Sequence, residues 1–151
     1  MLLRVDPALD LGSRLLTTVA RLNRWATRQA VLPDSTASLR TLALIDELGD
    51  ARLGDLARAD HCSQPTMTGQ VTRLADAGWV RRTPDPADAR AVRVALTDAG
   101  AERLRTVRAR RADVLRPALA RLSDDERRIL AAAAEILARL TSDTTEEAAP
   151  R

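Results

Sequence analysis

The sequence predicts a mainly α-helical protein with one small β-hairpin. Apolar residues make up 45% of the 151 positions but aromatic residues only 1%, so Leu, Val, Ile and Ala must build the core. Such a composition favours packed helices over a β-sandwich. Apolar positions recur at helical steps along much of the chain, whereas apolar and polar residues alternate in two short segments within positions 79–96. A chain of this length suits one domain with a modest core.

Three helices are predicted before residue 60. The first has Asp6 as its N-cap and runs to about Val31, because Pro33 stops it. The second carries apolar residues over positions 39–48, and the third spans about positions 54–59. Each has an apolar stripe and is therefore expected to pack against a core.

The fourth helix has signals at both ends. Ser63 is a strong N-cap, Pro65 lies in the first turn, and Gly78 provides the stop after the last turn. One face of this helix is apolar: Met67, Val71 and Leu74. We expect that face to be buried, which turns the polar face opposite it outward.

A β-hairpin is predicted next. The segments "WVRRT" and "AVRVAL" alternate apolar and polar residues, and the loop between them contains two prolines and two aspartates. The tip of this hairpin is predicted to carry Asp88 and Arg90.

Two further helices complete the predicted fold. The fifth begins at Thr97 and Asp98, and Pro117 is expected to kink or divide it. The sixth begins at a capping box over positions 123–126. The polar segment 143–151 has no periodicity, so it is predicted to be a disordered tail.

The charged residues draw attention to the hairpin. All 24 basic residues are arginines, because the sequence contains no lysine, and against 21 acidic residues they give a net charge of +3. Four arginines gather on the predicted hairpin: Arg81, Arg82, Arg90 and Arg93. The guanidinium group is a forked donor that suits phosphates and guanine, so this cluster is suited to contact with DNA.

Several function classes are excluded by the residues that the chain lacks. A single cysteine, Cys62, excludes an internal disulfide and fits a reducing compartment. No apolar segment is long enough for a signal peptide or a membrane span, so a cytoplasmic location is expected. His61 and Cys62 supply at most two metal ligands per chain, and neither a phosphate loop nor a Ser-His-acid arrangement is present. We therefore expect no metal, no cofactor and no enzymatic activity.

Two interpretations of Cys62 stay open. Cys62 and Met67 occupy the two positions of a hydrophobic staple at the start of the fourth helix, which explains the residue without chemistry. Alternatively, its place before a helix N-terminus, one turn after Arg58, favours a reactive thiolate and a redox-responsive protein.

Three short helices followed by a two-stranded hairpin is the element order of a winged helix-turn-helix, whose recognition helix lies in the DNA major groove. In this chain the fourth helix has that place. Its outward face carries small polar residues and one arginine, which suit base edges. The predicted DNA contacts here are Ser63, Gln64, Thr66, Thr68, Gly69, Thr72 and Arg73, with Arg82 from the hairpin.

Residues 36–100 resemble the DNA-binding core of the MarR family of bacterial transcriptional regulators. In that family an Asp-x-Arg motif on the wing precedes a Leu-Thr-x-x-Gly motif, which begins the next helix. Here these motifs are DAR at 88–90 and LTDAG at 96–100, after the segment "LADAGWV". The resemblance implies that Arg90 enters the minor groove and that Asp88 helps to hold it. Gly69 departs from the pattern, because relatives often have a larger polar or basic residue there.

The same resemblance implies a homodimer on a pseudopalindromic DNA operator. Residues 1–33 and 98–142 would form the dimerisation helices, and residues 36–97 the winged helix-turn-helix. The long apolar stripes of the terminal helices agree with this, because one small chain offers them too few partners.

A ligand-responsive repressor is the function that the resemblance implies. In such a protein a small-molecule effector binds a crevice beside the first helix, where the candidate residues are Arg24 and Trp25. A small aromatic or phenolic acid is the candidate effector, although Trp25 is also explained as a core residue. The alternatives are a winged-helix module that docks a protein and never binds DNA, and a redox-responsive regulator that acts through Cys62. The arginine-rich fifth helix is interpreted as a solvated face.

Overall fold

The computed structural model describes residues 7–147, except for the side chains of Ala89 and residues 142–147, and confirms the mainly α-helical class. Within this range six helices accompany a three-stranded antiparallel sheet. The elements are α1 (Pro7–Gln29), α2 (Thr36–Leu48), β1 (Ala51–Arg52), α3 (Leu53–Ala59), α4 (Gln64–Asp76), β2 (Val80–Asp85), β3 (Asp88–Leu96), α5 (Asp98–Leu119) and α6 (Asp124–Glu147). No helix in the described range is both long and apolar enough to cross a membrane.

The chain divides into two compact units, with the boundary inside α5. The first ends at Asp113 and contains α1 to α4, the sheet and most of α5. The second begins at Val114 and contains the end of α5 and all of α6. The predicted DNA-binding region therefore lies wholly within the first unit.

The core of the first unit forms where α2, α3 and α4 meet the sheet and the start of α5. Its largest buried side chains are aliphatic, as the composition predicts. The three residues predicted to face inward on α4 are each at most 1% exposed. The main members of this core are Leu42, Ile45, Leu56, Met67, Val71, Leu74, Val80, Val94 and Leu104. Burial of α4 against three other elements fixes which of its faces remains outside.

The ends of α4 follow the predicted signals. The Ser63 side chain accepts a hydrogen bond from the backbone N–H of Thr66 at 3.3 Å, which satisfies one free donor of the first turn. After the last turn, Gly78 adopts a φ of +75°, a conformation that glycine takes without steric cost. Local chemistry alone thus sets the length of this helix.

The sheet contains one strand that the sequence did not predict. The strand order is β1-β3-β2, and β1 has only two residues, which pair with Val94 and Arg93 of β3. So short a strand has no alternation to detect, and pairing with β3 is what makes it extended. This pairing attaches the β2–β3 hairpin, called the wing below, to the start of α3.

The wing turns more tightly than predicted. Only Pro86 and Ala87 separate the two strands, so Asp88 and Arg90 belong to the start of β3 and not to the loop. Asp85 causes the short turn, because its Oδ1 accepts a hydrogen bond from the backbone N–H of Ala87 at 2.8 Å. The exact direction of Arg90 is therefore set by strand geometry.

The last two helices differ from the prediction in extent. α5 is continuous through Pro117 and ends two residues later, so the proline does not divide the helix. α6 continues to Glu147, five residues into the segment predicted to be disordered. Once a helix has formed, each added residue makes one hydrogen bond, so a polar sequence can prolong it. The rest of that segment, 148–151, and the predicted N-cap Asp6 lie outside the described residues.

The predicted capping box at the start of α6 is present. The backbone N–H of Ser123 donates to the Glu126 carboxylate at 2.8 Å, and the backbone N–H of Glu126 donates to the Ser123 hydroxyl at 3.3 Å. The Ser123 hydroxyl also donates to the Glu126 carboxylate at 2.8 Å, and the two hydrogen bonds that this carboxylate accepts from Ser123 lower the pKa of Glu126.

Candidate nucleic-acid interface

The predicted contacts of α4 and of its N-cap Ser63 lie outside the buried face of the helix. Five of the seven residues are exposed, and Thr68 and Gly69 are half-buried. The buried face carries Met67, Val71 and Leu74, which are in the core. The structure thus leaves all seven predicted residues at least partly accessible.

The hydroxyl groups on this face differ in what they can still bind. Thr66 Oγ1 shares a hydrogen bond of 2.8 Å with Ser63 Oγ, and Thr68 Oγ1 donates to the carbonyl of Gln64 at 2.8 Å. Within the part of the chain that the structure describes, Thr72 has no such partner. The hydroxyl of Thr72 is therefore free to donate to a base edge.

Gly69 lies beneath the guanidinium group of Arg73. A Cβ atom built on Gly69 would lie 3.8 Å from Arg73 Nη1 and would meet nothing else within 4 Å. This is ordinary van der Waals contact, so the fold of the chain does not require glycine here. A requirement for glycine at position 69 would therefore have to come from a contact outside the chain.

Replacement of Gly69 by alanine tests that requirement. We expect Gly69→Ala to stabilise the protein by up to about 1 kcal/mol, because alanine is the better helix former. We also expect weaker operator binding, because the added methyl group would occupy space that a close approach of DNA needs. Urea unfolding and fluorescence-anisotropy titration measure the two effects. A stabilised variant with wild-type affinity would show that DNA stays clear of this position.

The wing presents Arg90 without a partner. Its guanidinium group is exposed and, among the residues described, makes no hydrogen bond or ion pair. The contact with Asp88 is instead made by the backbone N–H of Arg90, which donates to Asp88 Oδ1 at 3.0 Å. Asp88 therefore holds the chain at Arg90 and leaves the guanidinium group available. Arg82 is likewise exposed on β2.

A buried aspartate joins the wing to the helices, and sequence reasoning missed it. Asp85 is only 3% exposed, and its Oδ2 accepts hydrogen bonds from Arg52 Nε at 2.7 Å and from Arg93 Nη1 at 3.2 Å. Arg93 also binds the carboxylate of Asp50, at 3.0 Å. The only sequence signal was the stretch Pro-Asp-Pro, which is equally typical of an exposed loop. Arg93, grouped above with the DNA-facing arginines, is thus a structural residue.

The same contacts hold the pKa of the Asp85 carboxyl far below its usual range. The hydrogen bond from Arg52 contributes most, followed by that from the Ala87 backbone, while burial opposes them and Arg93 adds to the lowering. These donors favour the ionised carboxylate. The pKa of Arg52 is correspondingly raised, chiefly by its hydrogen bond with Asp85.

A pH dependence of stability follows from the lowered pKa of Asp85. As the pH falls below about 4, the unfolded chain takes up a proton on this carboxyl before the folded chain does, so the free energy of unfolding decreases as the pH decreases. In Asp85→Asn this part of the pH dependence should be absent. The difference in free energy of unfolding between wild type and the variant should therefore become smaller as the pH falls from 7 to 3, an interval that includes the pKa of a model carboxyl. Urea unfolding across this range measures the gap. A constant gap would contradict the assignment.

Three of the six arginines of α5 form ion pairs within the first unit. Arg105 pairs with Glu102 at 2.6 Å, Arg108 pairs with Asp46 at 2.9 Å, and Arg103 pairs with Asp34. These contacts favour a structural interpretation of the basic run over contact with DNA.

The base of the wing packs tightly against α5. The hydroxyl of Thr97 donates to the carbonyl of Gly78 at 2.7 Å and accepts from the backbone N–H of Gly100 at 3.1 Å. A Cβ atom on Gly100 would lie 1.9 Å from the carbonyl oxygen of Trp79. The Leu-Thr-x-x-Gly motif is therefore the contact that fixes the wing relative to the start of α5.

The candidate effector residues lie on α1. Trp25 is 37% exposed and is not a core residue. It borders a concavity of about 540 Å³ together with other residues of the same helix: Thr18, Arg21, Leu22, Arg24 and Arg28. The three arginines and the indole ring form a surface suited to an anion with an apolar part.

Cys62 is half-buried and packs against the core. This packing agrees with the staple interpretation and leaves the redox interpretation a prediction. No group of three or more His, Cys, Asp or Glu side chains that could hold a metal ion occurs among the residues described.

A capped helix with a polar outward face, beside a two-stranded wing, defines a winged helix-turn-helix DNA-binding protein. The model of the MarR family matches residues 35–92. An HTH-type transcriptional regulator of Mycobacterium tuberculosis is 34% identical over 141 residues, which cover 93% of this chain and 99% of the relative. The chain therefore belongs to the MarR family of transcriptional regulators, and because these are not enzymes, the prediction of no enzymatic activity is confirmed.

Solved structures show the same fold. A candidate transcriptional regulator of Pseudomonas aeruginosa is 32% identical with a TM-score of 0.72, and the match covers 91% of this chain and 97% of that one. A MepR variant of Staphylococcus aureus, solved with an oligodeoxyribonucleotide, is 19% identical with a TM-score of 0.61 over 85% of this chain and 96% of its own. The second likeness concerns the fold alone.

Proposed function

We propose that the protein is a ligand-responsive repressor that binds a pseudopalindromic double-stranded DNA operator as a homodimer in the bacterial cytoplasm. The observation that carries the proposal is the combination of an outward polar face on α4 with an exposed Arg90 on the wing, whose guanidinium group has no partner among the described residues. The helix reads bases in the major groove through Thr72 and Arg73, and Arg90 enters the adjacent minor groove. The oligodeoxyribonucleotide bound by the MepR variant supports DNA as the partner.

A second copy of the chain is the proposed partner for the terminal helices. On α1, Leu9 is 72% exposed and Leu16 is 76% exposed, and on α6, Ile129 is 67% exposed. Apolar surface of this extent on long helices is typical of an interface. We expect a mass of twice 16.4 kDa in sedimentation equilibrium. Two recognition helices would then lie about one DNA turn, roughly 34 Å, apart.

The concavity on α1 is the proposed effector site. An anionic aromatic compound would pair its charge with Arg24 or a neighbouring arginine and stack on Trp25. Such a ligand releases DNA only if it binds better to a dimer conformation in which the half-site spacing is wrong. This condition makes the repressor testable by affinity measurements with and without ligand.

Selection of genomic fragments tests the proposal most directly. Purified protein is incubated with a pool of sheared DNA from the source organism at physiological salt, and the retained fragments are sequenced. We expect an inverted repeat whose half-sites are centred about 10 base pairs apart, because two-fold symmetry of the protein is mirrored in the operator. Retention without sequence preference, with an affinity that falls steeply with salt, would leave only non-specific binding. Absence of retention would favour the protein-interaction module.

A further inference from the structure

A groove separates α3 from the wing. It has a volume of about 370 Å³ and is bordered by residues of α3, by Gln64 at the start of α4 and by the first residues of β3. Three arginines border it: Arg52, Arg58 and Arg90. Because Gln64 belongs to the recognition helix and Arg90 to the wing, the groove lies between the two surfaces assigned to major-groove and minor-groove contact.

Arg52 is held in this groove by one edge only. Its Nε donates to Asp85 Oδ2 at 2.7 Å, and its terminal nitrogens make no hydrogen bond within the described residues. A guanidinium group has five N–H donors, of which four are on the terminal nitrogens. The side chain is 44% exposed, so these donors are open to a ligand in the groove.

The carboxylate of Asp85 is held in place by several hydrogen bonds. Its two oxygens accept from Arg52, from Arg93 and from the backbone of Ala87, and its side chain is 1% exposed. The carboxylate is thus a fixed point in the sheet. The hydrogen bond at Nε tethers the guanidinium group to this fixed carboxylate, and the planar fork of its remaining N–H donors matches two oxygens of a phosphate.

The acidic side chains at the groove do not cancel this charge. Asp55 pairs with Arg58 at 3.0 Å, and Asp88 accepts from the backbone of Arg90. The lining residues carry three arginines against two aspartates, a formal net charge of +1, and the guanidinium group of Arg90 has no ion-pair partner among the residues described. An anion is therefore the ligand that the groove favours.

We propose that Arg52, oriented by Asp85, binds the DNA phosphate that lies between the base pairs read by α4 and the minor groove entered by Arg90. Asp85 is a positioning residue in this assignment, and Arg52 is the contact. The inference rests on the proposed operator binding and adds a residue to it. A phosphate contact fixes the register of the protein on the duplex without reading sequence.

Two matched variants separate the contact from the structural role of the cluster. Arg52→Gln and Arg93→Gln each remove one positive charge and one partner of Asp85, but only Arg52 borders the groove. We expect Arg52→Gln to lose about tenfold in operator affinity and to reduce the slope of log affinity against log salt by about one. Arg93→Gln should keep the wild-type slope, and thermal unfolding shows whether each variant is folded.

Neutral phosphates in the DNA provide a readout that a loss of folding cannot imitate. Single methylphosphonates are placed in turn along the operator half-site, and affinity is measured for wild type and Arg52→Lys, which keeps the charge but loses the fork. We expect one position at which neutralisation weakens wild type and has at least a threefold smaller effect on the variant, following the logic of a double-mutant cycle.

The outcomes are distinguishable. An unchanged salt slope in folded Arg52→Gln, an equal loss of slope in Arg93→Gln, or the absence of any phosphate coupled to residue 52 would overturn the assignment of Arg52. Failure of the wild-type protein to prefer its operator over unrelated DNA would instead overturn the proposed function.

Discussion

Replacement of Arg90 by alanine is expected to weaken operator binding at least tenfold, which corresponds to about 1.4 kcal/mol or more. The side chain has no protein partner among the described residues, so its removal breaks no intramolecular ion pair and leaves the wing folded. A guanidinium group inserted into a narrow minor groove is attracted by the enhanced negative potential there. Anisotropy titration at physiological salt, with a thermal melt of the same sample, measures both effects.

Arg110→Ala is the matched control for this prediction. Arg110 is also exposed and has no partner in the described part of the chain, but it lies on α5, away from the predicted contacts. Both variants lose one positive charge. Since the effect of one distant exposed charge is screened at physiological salt, the control should remain within about twofold of wild type. Equal losses in the two variants would assign the effect of Arg90 to net charge alone.

Replacement of Gly100 by alanine is expected to destabilise the protein by about 3 kcal/mol or more, at the upper end of what overpacking costs. The new Cβ would lie 1.9 Å from the Trp79 carbonyl oxygen and 2.8 Å from its carbonyl carbon. These are backbone atoms, which cannot rotate away as the end of a side chain can. Relief of the clash requires α5 to move from the base of the wing, which breaks the hydrogen bonds of Thr97.

Gly12→Ala is the control, because Gly12 is also a helical glycine but has nothing within 4 Å of an added Cβ. Alanine there should stabilise α1 by up to about 1 kcal/mol. Urea unfolding of both variants therefore measures effects of opposite sign. A destabilisation of similar size at both sites would show that packing against Trp79 is not the cause.

The link between the wing and α5 also bears on regulation. Thr97 and Gly100 join the end of α4 to α5, and Arg103 lies 5.5 Å from the Trp79 ring and pairs with Asp34 before α2. Movement of α5 would therefore reach the wing through contacts that have little freedom to deform. In the proposed ligand-responsive repressor, such tight packing would transmit a movement of α5 to the wing and so to the half-site spacing.

The helices of the first unit could be predicted because their signals are local. Caps such as Ser63 and Gly78 act within one turn, and the stripe of α4 repeats every three or four residues, so the sequence determines both the helix and its buried face. The outward position of the predicted contact residues follows from that face. The same reasoning identified the wing and Arg90, because alternation and turn residues are local as well.

Only the tertiary structure decided how these elements are joined. Arg52 and Asp85 are 33 positions apart, and β1 is extended only because it pairs with β3. The direction of Arg93 and the open donors of Arg52 depend equally on neighbours distant in the chain. Sequence periodicity cannot predict which arginine pairs with which carboxylate, because all 24 arginines have the same local preferences. The sequence thus determined the exposed face of α4, and long-range ion pairing decided which arginines have no partner among the described residues.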